Sequence, residues 1–155
     1  EKNLQLYHQL SGRAGRAGNS STVYFQTYNT NNKMISDITS NNPDVFLNKE
    51  IEIRRKNNLP PFQRFISLIL TGENNIKLEK EALNFKSLIV NKIKGKVLGP
   101  VSAPIFKIKR KYRIRLLIRG PKSLKLQNSL AAAIYNYKFP SGIKLSVYVD
   151  PISFN

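Results

Sequence analysis

The stretch Gly12-Arg13-Ala14-Gly15-Arg16-Ala17-Gly18, with Gln9 just before it, sets two guanidiniums three residues apart among three glycines. Glycine lets a backbone approach a ligand closely. Each guanidinium can hold a phosphate through two parallel hydrogen bonds. An arginine entering a nucleotide site from a neighbouring lobe stabilises charge on a transferring phosphoryl group. The plainer alternative is a basic Gly/Ala turn that grips any anion. A second group lies between Phe106 and Arg119, where Lys107, Lys109, Lys111, Arg113 and Arg115 occupy every other position. Ile108, Tyr112, Ile114 and Leu116 carry the apolar side. Read as one long strand, this puts five cations on one face, a row suited to a polyanion.

The charge distribution supports a phosphate-bearing partner. The chain of 155 residues carries a net charge of +17, and the stretch from Ala82 to Val149 holds 15 Lys and Arg with no Asp or Glu. A codon bias that overuses Lys, Asn and Ile explains extra lysines better than it explains the missing acids. A single-signed surface attracts nucleic acid without reading its sequence. The absence of cysteine excludes disulfides, thiolate metal sites and a cysteine nucleophile within these residues. His8 has no ligand cluster at metal spacing. Asp150, the lone acid after Glu81, is expected to pair with a nearby Arg or Lys or to cap a turn. Tyr112 and Tyr137 sit on apolar faces and are expected to pack, although tyrosines can also stack on bases. No G-x-x-x-x-G-K-[ST] loop and no acidic pair for magnesium occurs, so ATP hydrolysis is not expected of this segment by itself. No apolar run is long enough to span a membrane, and no signal peptide is evident.

Local patterns give the elements that must position these groups. A short helix is expected over 3–12, a strand over 22–28, and helices over 33–40 and from Asn42-Pro43 to Lys56, stopped by Pro60-Pro61. After that boundary, 65–70 reads as a strand. Leu78, Ala82, Phe85, Ile89 and Ile93 mark a helix over 76–93. Residues 96–101 and 106–119 read as strands, with a stiff Gly99-Pro100 bend and Pro104 between them. Ser123 caps a helix to about Tyr137 with Leu126, Leu130 and Ile134 on its stripe, and 144–149 closes the series as a strand. The order β-α-β-β-α-β is the split ferredoxin-like motif, an α+β fold with both helices on one sheet face. The other face is left for the cations.

The string from Gln9 to Gly18 resembles motif VI of superfamily 2 helicases. Arg54-Arg55-Lys56 with Leu59-Pro60-Pro61-Phe62 follows it. Val97-Leu98-Gly99-Pro100 with Ala103-Pro104, Tyr112-Arg113-x-Arg115-Leu116-Leu117 and Val149-Asp150-Pro151 come next in order. Together they resemble the C-terminal portion of the primosomal replication-restart helicases. The resemblance implies the end of a RecA-like helicase lobe over 1–28, a helical connector over 29–61 and a C-terminal domain over 62–155, similar in fold to a small-subunit ribosomal protein. It implies a parent that unwinds DNA 3′-to-5′ with ATP, restarts stalled forks and helps load the replicative helicase. By the same resemblance Gln9 and Arg13 would face ATP phosphates and Arg16 would be the arginine finger. The C-terminal domain would bind branched or single-stranded DNA through Lys107, Lys109, Lys111, Arg113 and Arg115. It would also bind the tail of single-stranded DNA-binding protein through Gln127 and either Lys122 or Lys125, since Ser123 stands where the family has a basic residue. The segment itself is expected to hold no cofactor. ATP, magnesium and zinc are implied for the parent, with primosome proteins as partners and a bacterial, nucleoid-associated cytoplasmic location. A basic RNA-binding or ribosomal-type ferredoxin-like protein is the alternative.

Overall fold

The computed structural model describes residues 5–6, 9–10, 22–24, 26–29, 31, 33–39 and 43–151. The chain divides into two compact units, Glu1–Ile53 and Arg54–Asn155. Gln5, Leu6, Gln9 and Leu10 are helical and exposed. Arg13 and Arg16, like Asn42, lie outside the described residues. In the first unit, helix α1 (Lys33–Thr39) is followed by α2 (Pro43–Lys56), whose last residues run into the second unit. The Lys49 ammonium donates to both Asp37 carboxylate oxygens, at 2.7 and 2.8 Å. An exposed pair of this kind contributes little to stability.

The expected strand over 22–28 is corrected. The described residues of that segment lie outside any strand, and Tyr24 and Tyr28 are fully exposed. β-propensity needs a neighbouring strand to become structure, and among the described residues nothing pairs with this segment.

In the second unit, β1 (Arg64–Gly72), α3 (Asn75–Val90), β2 (Lys96–Ile108), β3 (Lys111–Gly120), α4 (Leu124–Tyr135) and β4 (Lys144–Val149) follow in order. The strands form one antiparallel sheet in the order β2-β3-β1-β4. This is the ferredoxin-like arrangement, with the two sequence-adjacent strands β2 and β3 paired at one side and β1 central. Alternation gives each strand an inner side. Ile66, Leu68 and Leu70 from β1 and Ile114, Leu116 and Ile118 from β3 join Leu78, Ala82, Phe85 and Ile89 from α3 and Leu126, Leu130 and Ala133 from α4. The helices thus cover one face, as the periodicity predicts.

Caps set the helix ends. The Asn74 side chain accepts from the Lys77 amide at 2.9 Å and opens α3; Ser123 accepts from the Leu126 amide at 3.4 Å and opens α4. Both helices stop earlier than expected, at Val90 and Tyr135, with Asn91 and Asn136 as C-caps. Ile93 and Tyr137 nevertheless pack on the core from the turns that follow. Asp150 behaves as expected. Its carboxylate accepts from Arg64 Nε at 3.1 Å and from the Phe65 amide at 3.0 Å, while its own amide donates to the Phe65 carbonyl. The end of β4 is thereby fastened to the start of β1.

Tyr137 packs on Phe85 and Phe139, with ring centroids 4.9 and 4.8 Å away, and its hydroxyl donates to the Glu81 carboxylate, itself nearly buried. Burial, the hydrogen bond and the adjacent negative charge push the Tyr137 hydroxyl up to about 12 from 10.0. The neutral phenol is thus favoured by folding. That contribution is complete below pH 10.0 and is lost as pH rises to about 12. Tyr137→Phe should therefore unfold with a shallower loss of stability across that interval than the parent chain, as read by urea titrations at a series of alkaline pH values. Identical slopes would exclude Tyr137 as the source.

Candidate nucleic-acid interface

One correction reshapes the basic row. Residues 106–119 do not form a single strand. Lys109 and Arg110 make a two-residue turn, with φ of 48° and 65°, between β2 and β3. Such turns match the twist of the flanking strands but need the left-handed region at both central positions, where Asn-Gly is the usual signal. Lys-Arg gives no such signal, so the alternation runs through the turn unbroken. Nor does β2 end at Val101. It continues past Gly99-Pro100 and Pro104 with two register shifts, which an edge strand tolerates.

The five expected cations therefore separate. Lys111, Arg113 and Arg115 alternate with core residues Ile114 and Leu116, so they project from the face the helices leave uncovered. Same-side neighbours on a strand lie about 7 Å apart. By register, Arg113 stands beside Thr71 and then Lys144, and Arg115 beside Ile69 and then Ser146. The Lys144 ammonium extends the row across the sheet. Lys107 instead pairs with Tyr112 on the other side; its Nζ lies 4.5 Å from the ring centre and donates to the Tyr112 hydroxyl at 3.2 Å. Lys109 sits in the turn itself. Arg110, which the alternation passes over as an even position, stands beside it.

The cations also differ in what already holds them. Arg113 donates through Nη1 to the Ile105 carbonyl at 3.2 Å, within the irregular part of β2. This bond fixes the guanidinium while leaving its other donors. Arg119 is structural: Nε bonds Gln63 and Nη2 bonds the Asn57 carbonyl, both at 2.9 Å. The turn it holds is further set by Arg54 on the Pro60 carbonyl and Arg55 over the Phe62 ring at 5.1 Å. No acid arises from β2, β3 or β4, and Asp150 is engaged with Arg64.

Gln127 lies elsewhere. It lines an apolar groove of about 460 Å³ with Leu130, Ala131 and Ile134 of α4 and Val147 and Val149 of β4. The two valines face the helix side by register with Leu68 and Ile66, yet remain 43% and 47% exposed, because α4 does not cover β4 completely. Lys122 and Lys125 are exposed around the Ser123 cap. Gln9 is exposed within a helical stretch of the first unit.

A family model described as the primosomal protein N C-terminal domain matches residues 55–152. The chain is 38% identical over 154 residues to the Replication restart protein PriA of Rickettsia felis, covering 99% of this chain and 24% of that protein. It is 31% identical to the protein of the same name from Synechocystis, over 100% of this chain and 19% of that one. Against that of Bacillus subtilis the figures are 29%, 89% and 17%. The chain thus spans about a quarter or less of the length of these relatives.

Proposed function

The chain belongs to the primosomal protein N C-terminal domain family, and from that premise we propose that it is the DNA-binding C-terminal portion of a replication-restart helicase. The cations on the sheet face opposite the helices grip the phosphates of branched or single-stranded DNA. The observation that carries this reading is the placement of Lys111, Arg113, Arg115 and Lys144 on the uncovered face of a domain whose strands and helices supply no acid between Ala82 and Val149. Phosphate contacts of this kind position a protein on DNA without reading its sequence, which suits recognition of a fork by shape.

In this reading residues 1–28 close a RecA-like lobe, and Gln9, Arg13 and Arg16 act on ATP held by the rest of the parent. Arg16 stabilises the transferring phosphoryl group. The parent then unwinds DNA with ATP and helps load the replicative helicase. The groove beside Gln127 receives the acidic-hydrophobic tail of single-stranded DNA-binding protein. Its apolar walls suit the hydrophobic end of such a tail, and Lys122 and Lys125 supply charge near Ser123.

The test is binding to a fork, a plain duplex and a single strand across a salt series, read by fluorescence anisotropy. Arg113→Gln with Arg115→Gln should lower affinity and flatten the salt dependence by about 0.7–0.9 in slope for each phosphate that is no longer neutralised. Arg113→Lys with Arg115→Lys should recover most of it. Lys77→Gln with Lys80→Gln, on exposed positions of α3 at the opposite side, should have little effect. Equal losses in both pairs would overturn the assignment to the open face.

A further inference from the structure

We propose that the tip of the β2–β3 hairpin is a second nucleic-acid contact, separate from the open face, that engages an unpaired strand; the proposal rests on the DNA-binding reading above. The segment Lys107-Ile108-Lys109-Arg110 places three cations in four residues, ahead of Lys111 on the sheet face. Residues 104–110 are all exposed, whereas Arg113 and Arg115 are only half-exposed. The tip therefore presents its charge farther into solvent than the face does.

The turn holds its cations at a conformational cost. Lys109 and Arg110 both occupy the left-handed region, at φ 48° and 65°. For residues with a Cβ that region is unfavourable by about 1–2 kcal/mol each. Asn-Gly would close the same hairpin with less strain. Strain kept at an exposed turn points to a use for the side chains there.

Apolar groups indicate which form of nucleic acid. Phe106 remains 37% exposed and Ile108 42% exposed, directly beside the cations. Phe106 packs against Tyr112 with ring centres 5.3 Å apart, and the Lys107 ammonium lies over Tyr112. Phe106 and Tyr112 brace each other through their rings, while Lys107 pairs with Tyr112 and Ile108 with Lys111 on the other side of the hairpin. Phosphates alone offer nothing to exposed Phe106 and Ile108, whereas unstacked bases do. A paired duplex keeps its base faces covered. A strand leaving a fork exposes both phosphates and base faces.

The experiment compares the 155-residue chain with Lys109→Asn/Arg110→Gly and, separately, with Arg113→Gln/Arg115→Gln. Each is titrated against a fork with two unpaired arms, a single strand and a blunt duplex, and each is melted. The tip variant should bind the fork and the single strand about tenfold more weakly, as expected when two phosphates go unneutralised and stacking is weakened. It should bind duplex nearly as before and melt at the same or a higher temperature. Unchanged binding to fork and single strand, with the face variant impaired, would overturn the tip contact while leaving the DNA reading intact. Normal binding by both variants would overturn the face reading and the tip contact with it. An equal loss on duplex would refute the preference for an unpaired strand. A lower melting temperature would show that Lys109 and Arg110 are kept for the fold.

Discussion

Replacing Phe85 with alanine is expected to lower the free energy of unfolding by about 3–5 kcal/mol, the usual range for deleting a buried aromatic ring. Phe85 is fully buried at the centre of α3. It meets Tyr137 and Phe139 at ring-centre distances of 4.9 and 5.0 Å, and those two rings meet each other at 4.8 Å. The three rings join α3 to the turn after α4, so the ring is the place where the second βαβ half is fastened to the first. Removing it leaves a cavity that β1 and β3 cannot close, because hydrogen-bonded partners hold both strands on each side. Domains are commonly stable by only about 5–15 kcal/mol, so the variant should be close to unfolding at physiological temperature. Urea titration measures the loss, and Phe85→Leu should retain much of the stability. A change below about 1 kcal/mol would mean that the core repacks around the gap.

Gly99→Ala is expected to cost about 2–4 kcal/mol and to weaken DNA binding as well. Gly99 adopts φ +94°, and a Cβ there would lie 2.7 Å from the carbonyl oxygen of Arg115. The obstructing atom is backbone in a paired strand, so no side chain can swing aside. The position lies in the register shift between Leu98 and Val101, where β2 bulges past β3. The Gly99 carbonyl also accepts from the Lys86 ammonium, which ties the bulge to α3. Relief requires β2 and the Arg115 backbone of β3 to separate, and whatever part of that movement β3 takes up shifts the Arg115 guanidinium. Thermal melting reads the first effect and anisotropy with forked DNA the second. An alanine variant with unchanged melting would show that the bulge is free to rearrange. One with lower melting but unchanged binding below its melting temperature would separate the bulge from the interface.

Much of the architecture was legible because its causes are local. The stripe Leu78, Ala82, Phe85 and Ile89 lies on one side of a helix wherever that helix is placed, and each of these residues is buried. Ser123 caps α4 through its own side chain three residues along. Asp150, as the lone acid beyond Glu81, found its partner in Arg64. The charge asymmetry needed only counting.

Strand boundaries and partners were another matter. Phe106 to Arg119 alternates so regularly that nothing in the residue types marks the reversal at Lys109-Arg110. The reversal is set by pairing of Lys107 with Tyr112 and Ile108 with Lys111, made across the hairpin. Thr22 to Tyr28 is rich in strand-forming residue types, yet its described residues form no strand.

The order of the elements beyond residue 60, the core-facing side of the helices there and the half of the chain that carries the charge were all written in the residues themselves. They follow from side-chain type and the fixed periods of helix and strand. The division of the basic row into two groups, one on the open sheet face and one on a hairpin tip, came from the fold. A strand acquires its end, its partner and its exposed side from hydrogen bonds to residues distant in the chain, and no local pattern contains them.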